Sequence, residues 1–388
     1  MNRVCNIFAQ LLQLFPRTQF QQAVQTFHAE RHARGFTCGG QFVAMMFCQL
    51  ASAKSLREIC QGLAASEGKL RHLGVPEAPA RSTLAYANEH RRWEVYQRVF
   101  EDLLEKCQVA AVGKKKLRFK NKLLSLDSTS IDLCATLYDW AKYKRTKGAA
   151  KVHLLLDNEG YLPAFACITD GKAHDVTVGR NLRFQAGTIL VIDKGYVDYG
   201  WWQQMTEEGV FFVTRLKRDL KYRVIQENPV PEQGNVRGDH WIELESRQQM
   251  GKRQVLRVVT IWDEEKQEEL AFLTNHFEFG PTTIARIYKE RWQIELFFKS
   301  LKQLLKVKTF VGTSANALKT QIWIALIAML VLRYLHMKST CGWSLSNLVA
   351  LVRQQLFVYR DLYTWLDDPF QAPPALAGVH DGQLALEF

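Results

Sequence analysis

The stretch 287–306, IYKERWQIELFFKSLKQLLK, contains neither glycine nor proline and is rich in good helix formers. It predicts one long helix. Projected at about 100° per residue, two faces separate. Tyr288, Arg291, Glu295, Lys299 and Lys302 share a stripe roughly 80° wide, and Ile287, Ile294, Phe297, Leu301, Leu304 and Leu305 share the opposite side. An ordinary amphipathic helix divides in the same way. Solvated faces, however, usually mix signs in Glu-to-Lys pairs four apart, whereas this one sets a single carboxylate among a tyrosine and three cations. A carboxylate so placed suits a metal that also holds phosphate, with the cations gripping the flanking backbone.

Upstream, the texture from residue 123 is that of strands. LLSLDSTSI is an apolar strand entering Asp127, and 151–157 with 161–168 form a hairpin about the turn Asn158–Gly160. TILVID (188–193) is a buried strand ending in Asp193, GVFFVT (209–214) is another, and YVDYGWWQQMTEEG between them reads as a helix. Three strands, a helix-sized gap, a strand, a helix and a strand give a mixed α/β sheet. Residues 215–275 then alternate as strands do, which predicts a β-rich insertion before the 287–306 helix. An Asp at the end of a buried strand more often caps or turns than reacts. Three carboxylates converging at one sheet edge would repel unless a divalent cation sat between them. With no Cys or paired His nearby, oxygen-only ligands favour Mg²⁺ or Mn²⁺ over Zn²⁺. His153, His174 and Asp175 are read as structural, His153 alternating within a strand and His174–Asp175 opening a helix.

The N-terminal part reads as helical. Thr18 with Gln21 and Ser55 with Glu58 make capping-box patterns, Gly35 is a plausible stop, and QFVAMMFCQL (41–50) reads as a fully buried helix. Short helices with tight turns suit a helix-turn-helix unit and suit plain helical packing equally. Residues 70–80, with Gly74, Pro76 and Pro79, read as a linker. Lys114, Lys115, Lys116, Arg118, Lys120 and Lys122 form a basic run that either is solvated or tracks a phosphate backbone. WAKYKRTKGAAK (140–151) is a second candidate DNA-facing loop. With 51 basic against 39 acidic residues the net charge is +12, which favours a polyanionic partner, nucleic acid before membrane. Eight cysteines without a C-x-x-C pair suggest neither zinc nor disulfides. No signal pattern opens the chain, and the apolar run 322–332 is too short to span a bilayer. A soluble, intracellular protein is expected.

Tyr288, Arg291, Glu295 and Lys302 fit Tyr-(2)-Arg-(3)-Glu-(6)-Lys, and with this spacing the chain resembles DDE transposases of the bacterial insertion-sequence four family. The resemblance covers roughly 120–335. It implies a ribonuclease-H-like core interrupted by a β-rich insertion, behind an N-terminal all-helical domain. The expected domains are 1–75, helical and binding DNA ends; 76–120, a helical and basic connector; 121–214 and 276–340, the catalytic core; 215–275, the insertion; and 341–388, a C-terminal helix and tail. It further implies that Asp127, Asp193 and Glu295 are the triad, holding two Mg²⁺ or Mn²⁺ ions. Two such ions, about 3.5–4 Å apart, activate a water or 3′-hydroxyl and stabilise the leaving oxygen without a covalent protein–DNA intermediate. Tyr288, Arg291, Lys299 and Lys302 are then contacts to the phosphates and sugars of the element's end. Lys194 stands in DKGY where the family commonly has arginine, keeping charge without a bidentate grip. Related enzymes stack a flipped base on an aromatic; Trp292 is the first candidate here, before Trp241 and Trp262, which suit core packing better.

The resemblance also implies terminal inverted repeats and a target duplex as partners, a homodimer on paired ends, no membrane, and a bacterial cytoplasmic, nucleoid-associated protein. Two alternatives remain at this stage. One is a nuclease of the same fold that cuts without joining, and the other is a domesticated, non-catalytic DNA-binding protein.

Overall fold

The computed structural model describes residues 5–370 except 32, 34, 67, 114–116, 118, 135–137, 139, 141, 145–146, 231–233, 245–253 and 306–309. Residues 114–116 and 118 of the basic run, residues 141, 145 and 146 of the loop 140–151, and the tail 371–388 therefore lie outside the described residues.

Six helices come first: α1 (Ile7–Leu12), α2 (Arg17–Thr26), α3 (Cys38–Leu50), α4 (Leu56–Ala64), α5 (Arg81–His90) and α6 (Glu94–Ala111). The Ser55 box forms, with Ser55 Oγ accepting from the Glu58 N–H at 3.1 Å. The Thr18 box does not. Pro16 takes the cap position of α2, so Thr18 lies within the first turn, and the helix ends at Thr26, well before Gly35. The largely apolar stretch 41–50 in α3 is buried throughout, Gln41 and Gln49 included.

The sheet strands are β1 (Leu123–Cys134), β2 (Lys142–Lys144), β3 (Lys147–Asp157), β4 (Leu162–Asp170), β5 (Ile189–Ile192), β6 (Phe211–Arg215), β7 (Tyr222–Glu227), β8 (Val236–Leu244), β9 (Val255–Asp263) and β10 (Glu268–Thr274). Two helices interleave, α7 (Asp175–Asn181) and α8 (Tyr199–Glu207). The order is β2-β3-β1-β5-β6-β10-β9-β8-β7, with β4 also on β3. β1, β5 and β6 run parallel, while β3 and β4 are antiparallel. This is the ribonuclease-H-like core. The β3–β4 turn needs glycine at position 160, where φ is +75° and a Cβ would meet Ala111 Cβ at 2.7 Å. The insertion continues the same sheet, because β10 pairs with β6 through Phe272↔Arg215 to Thr274↔Val213.

The stretch 287–306 is not one helix. It divides into the end of α9 (Pro281–Lys289) and α10 (Trp292–Leu305). At the break the bonds tighten to three-residue spacing, Arg291 N–H to Tyr288 O at 3.0 Å and Ile294 N–H to Arg291 O at 3.2 Å. Two causes are visible. Glu290 accepts a 2.9 Å hydrogen bond from Tyr161 on the β3–β4 hairpin, and the apolar faces serve different cores. Ile284 and Ile287 bury against β6, β9 and β10, whereas Ile294, Phe297, Phe298 and Leu301 join the core around α11 (Ala315–Lys338).

That second core is continuous from Ile7 to Leu366 and wraps α11 with α3, α5 and α6. Trp323 lies parallel to Trp93 at 6.3 Å between ring centroids. By length and composition α11 could cross a membrane, being longer than its apolar run, yet 83% of its most apolar window is buried in the protein. The chain closes with α12 (Leu345–Gln355), capped by Ser344, and α13 (Leu362–Asp367), which sends Leu362, Trp365 and Leu366 into the core. On the opposite face of β5, Leu190 and Ile192 pack with Trp201, Trp202 and Phe212.

Candidate active site

β1 and β5 are in register from Leu123↔Ile189 to Leu126↔Ile192. The next residue on each strand is an aspartate, so Asp127 and Asp193 leave the end of the parallel pairing side by side. Asp193 does end its strand, heading a short 3-10 turn, Lys194–Tyr196. Asp127 does not. β1 continues to Cys134 because β3 pairs along its whole length, Leu124↔Asp157 to Cys134↔Lys147. Glu295 arrives in the first turn of α10, which packs across β1.

These three carboxylates line one open cleft of about 640 Å³ with Ser128, Thr129, Arg291, Phe298, Lys299, Lys302 and Gln303. Lys299 and Lys302 are exposed along its α10 wall. Arg291 turns inward and bridges two of the acids, with Nη1 3.5 Å from Asp127 Oδ2 and Nη2 donating to Glu295 Oε1. Burial pushes the Asp127 carboxyl up to about 6. The Ser128 N–H, donating to Oδ1 at 2.8 Å, and Arg291 pull it down, while the charges of Asp193 and Glu295 push it further up.

The other expected residues stand apart from the cleft wall. Tyr288, on α9, is half-buried with its ring 4.9 Å from Phe272 and the Arg291 guanidinium 5.6 Å above it. Trp292 is 55% exposed at the start of α10. Lys194 is exposed in the turn after Asp193. In the insertion, Trp241 and Trp262 are half-buried, and Trp241 lies edge-on to Phe277 at 5.1 Å. Within the two basic segments, Lys122 pairs with Asp157 at 3.3 Å and Trp140 donates to Thr313 O at 3.0 Å. Among the described residues, seven cysteines are free thiols. Ser128, Thr129, Phe298 and Gln303 escaped the sequence reading. For Phe298, the signal is its position three residues after Glu295, one turn along the same helix.

As the side chains stand, no trio of His, Cys, Asp or Glu among the described residues is drawn close enough to grip an ion. The guanidinium of Arg291 supplies the positive charge between Asp127 and Glu295. The donor chemistry nevertheless fits a hard divalent cation: carboxylate oxygens only, at a cleft, around a half-buried Asp127 whose charged form is short of compensation.

Comparison with known proteins shows the family. The transposase DDE domain family matches residues 118–331, and a domain of unknown function (DUF4372) matches 5–76. The putative transposase y4zB of Sinorhizobium fredii (strain NBRC 101917 / NGR234) is 31% identical over 79% of this chain and 85% of its own length. The probable transposase for insertion sequence element IS5377 of Geobacillus stearothermophilus is 28% identical over 66% and 67%. A piggyBac transposase synaptic complex with hairpin DNA overlaps 97% of this chain and 84% of that one, at 10% identity and a TM-score of 0.45, too distant to carry an argument. Since the domain match spans the strands and helices that carry Asp127, Asp193 and Glu295, and a relative is alike over 79% of the chain, this chain belongs to the DDE transposases of the bacterial insertion-sequence four family, enzymes of metal-dependent DNA cleavage and strand transfer.

Proposed function

We propose that Asp127, Asp193 and Glu295 are the triad with which this transposase cleaves at the ends of its element and joins the freed 3′ end to target DNA. The observation that carries the assignment is the register Leu126↔Ile192, after which both aspartates emerge together facing the helix that bears Glu295. The three would hold Mg²⁺ or Mn²⁺, two ions in the arrangement we favour. Once bound, such ions acidify the attacking hydroxyl and neutralise charge on the leaving oxygen.

The protein's own groups then bind and orient. Lys299 and Lys302 are spaced along the exposed cleft wall to hold successive phosphates, fixing register without reading sequence. Arg291 neutralises Asp127 and Glu295 before catalysis and is within reach of a phosphate beside them. Tyr288 supports that guanidinium through its ring and adds a sugar or phosphate contact, and Lys194 contributes charge from the exposed turn after Asp193. The exposed indole of Trp292 is available to stack an unpaired base. Residues 1–75 would recognise the terminal repeats, and two copies would act on paired ends in the bacterial cytoplasm, on nucleoid DNA.

The test is incubation of the full-length protein with Mg²⁺ and a labelled duplex bearing the element's own end, beside Asp193→Asn. Nicking at the end that is lost in the variant, followed by joining to a second duplex, is the expected result. Cutting without joining would move the assignment to a nuclease. Tight binding with no cutting by either protein would overturn the catalytic reading.

A further inference from the structure

Strand alternation sends Asp127 and its neighbour Ser128 to opposite faces of β1. Asp127 faces the side of α10. Leu124 and Leu126, which share the face of Ser128, pack in the cluster of Trp201 and Trp202. On that second face a polar cluster ties four elements together. Asp175 Oδ1, at the start of α7, accepts from Ser128 Oγ at 2.7 Å and from Lys151 Nζ at 3.2 Å, and lies 3.6 Å from His153 Nδ1. Lys151 also donates to Ala173 O at 2.8 Å. His153, fully buried, meets Thr169 Oγ1 at 2.8 Å through Nε2. Tyr196, on the turn that follows Asp193, buries its hydroxyl near Ser128 and Asp175 without a hydrogen bond of good geometry.

A cluster that merely tied the hairpin to α7 would need only Lys151, which already bonds both Asp175 and Ala173 O. Here the same carboxylate oxygen also takes the hydroxyl of Ser128, a residue on the wall of the cleft. The Ser128 N–H in turn holds Asp127 Oδ1. Ser128 is therefore fixed at both ends, by its hydroxyl from behind the sheet and by its N–H to the carboxylate in front.

We propose that Asp175 is a positioning residue for Asp127. Through Ser128 it holds the β1 backbone so that the Asp127 carboxylate keeps one orientation toward the cleft, and the Ser128–Asp175 pair thereby sets metal affinity. This rests on the reading of Asp127 as a metal ligand. Groups that orient a ligand from behind typically alter metal affinity by about 10- to 100-fold when removed.

The experiment measures Mn²⁺ binding to the full-length protein by the loss of the free-ion electron paramagnetic resonance signal. Melting temperatures in chelator are recorded in parallel. Ser128→Ala and Asp175→Asn should each weaken Mn²⁺ by about tenfold or more, and the double variant should lose little beyond the worse single one, because both act through one bond. Ser128→Thr, which keeps the hydroxyl on a strand-favouring side chain, should restore the affinity. Unchanged Mn²⁺ affinity in Ser128→Ala and Asp175→Asn, with only the melting temperature lowered, would overturn the proposal. If Asp175→Asn does not fold, the Ser128→Ala and Ser128→Thr pair decides alone. Asp127→Asn separates the two readings: should it bind Mn²⁺ like wild type, the triad assignment fails instead.

Discussion

Asp127 makes the metal-free protein less stable than it could be, and pH reveals by how much. Its carboxyl is raised from 3.8 to about 6, chiefly by burial, at a side-chain exposure of 19%. The folded protein therefore holds this proton more tightly than the unfolded chain does. Below about pH 4 both states are protonated and the site costs nothing. Between about pH 4 and 6 the unfolded chain ionises first and folding stability falls, and above about 6 the whole penalty is in place. A shift of about two units corresponds to about 3 kcal/mol. The contributions of Arg291 and the Ser128 N–H already lie within that shift. Asp127→Asn keeps an acceptor for the Ser128 N–H and removes the charge. In chelator at pH 7.5 it should be more stable than wild type by up to about 3 kcal/mol, or about 4 °C in melting temperature for a chain of this length. At pH 4.5 the advantage should shrink to about 1 kcal/mol. The measurement is calorimetric melting of both proteins across that range. Added Mg²⁺ should stabilise wild type by mass action and leave the variant unmoved. A variant no more stable than wild type at pH 7.5 would refute the argument.

Two further outcomes follow from named contacts. Arg291→Gln removes the cation that bridges Asp127 and Glu295, so Mn²⁺ should bind about fivefold tighter, the size of an ion pair near 1 kcal/mol, while the end duplex binds more weakly; calorimetry and a mobility shift check the two halves, and unchanged metal affinity would mean that Arg291 does not compete. Arg257 is buried against Asp239, Nη2 to Oδ2 at 2.6 Å, and also donates to the carbonyls of His276, Phe277 and Phe279 just before α9. Arg257→Met strands the Asp239 carboxylate, a loss of about 3–5 kcal/mol to be read from the urea midpoint, and a loss below about 1 kcal/mol would contradict the pairing.

Much of this protein is legible in local pattern. Short apolar runs mark 123–126 and 188–192 as strands, each entering an aspartate, and the Ser55–Glu58 spacing marks the start of α4. The Tyr-(2)-Arg-(3)-Glu-(6)-Lys spacing singles out Glu295 before any contact is known. These signals survive because they depend on neighbours within a few residues, whose geometry the backbone dictates. The remainder depends on partners far along the chain. The break between α9 and α10 answers to Tyr161, 129 positions from Glu290, and to two cores that a helical wheel merges into one face. β1 runs past Asp127 because β3 pairs with it, and a run of Ser and Thr gives no hint of that partner. The insertion joins the main sheet through β10 and β6, a pairing that alternation cannot specify. Arg291 faces inward because Asp127, 164 positions away, lies under it. Ser128 and Asp175 meet only when α7 packs against β1. Sequence alone determined which side chains could do the chemistry, since residue type and spacing are local properties. Tertiary structure alone decided which of those charges neutralise one another, because ion pairing and desolvation depend on distances that only the folded chain sets.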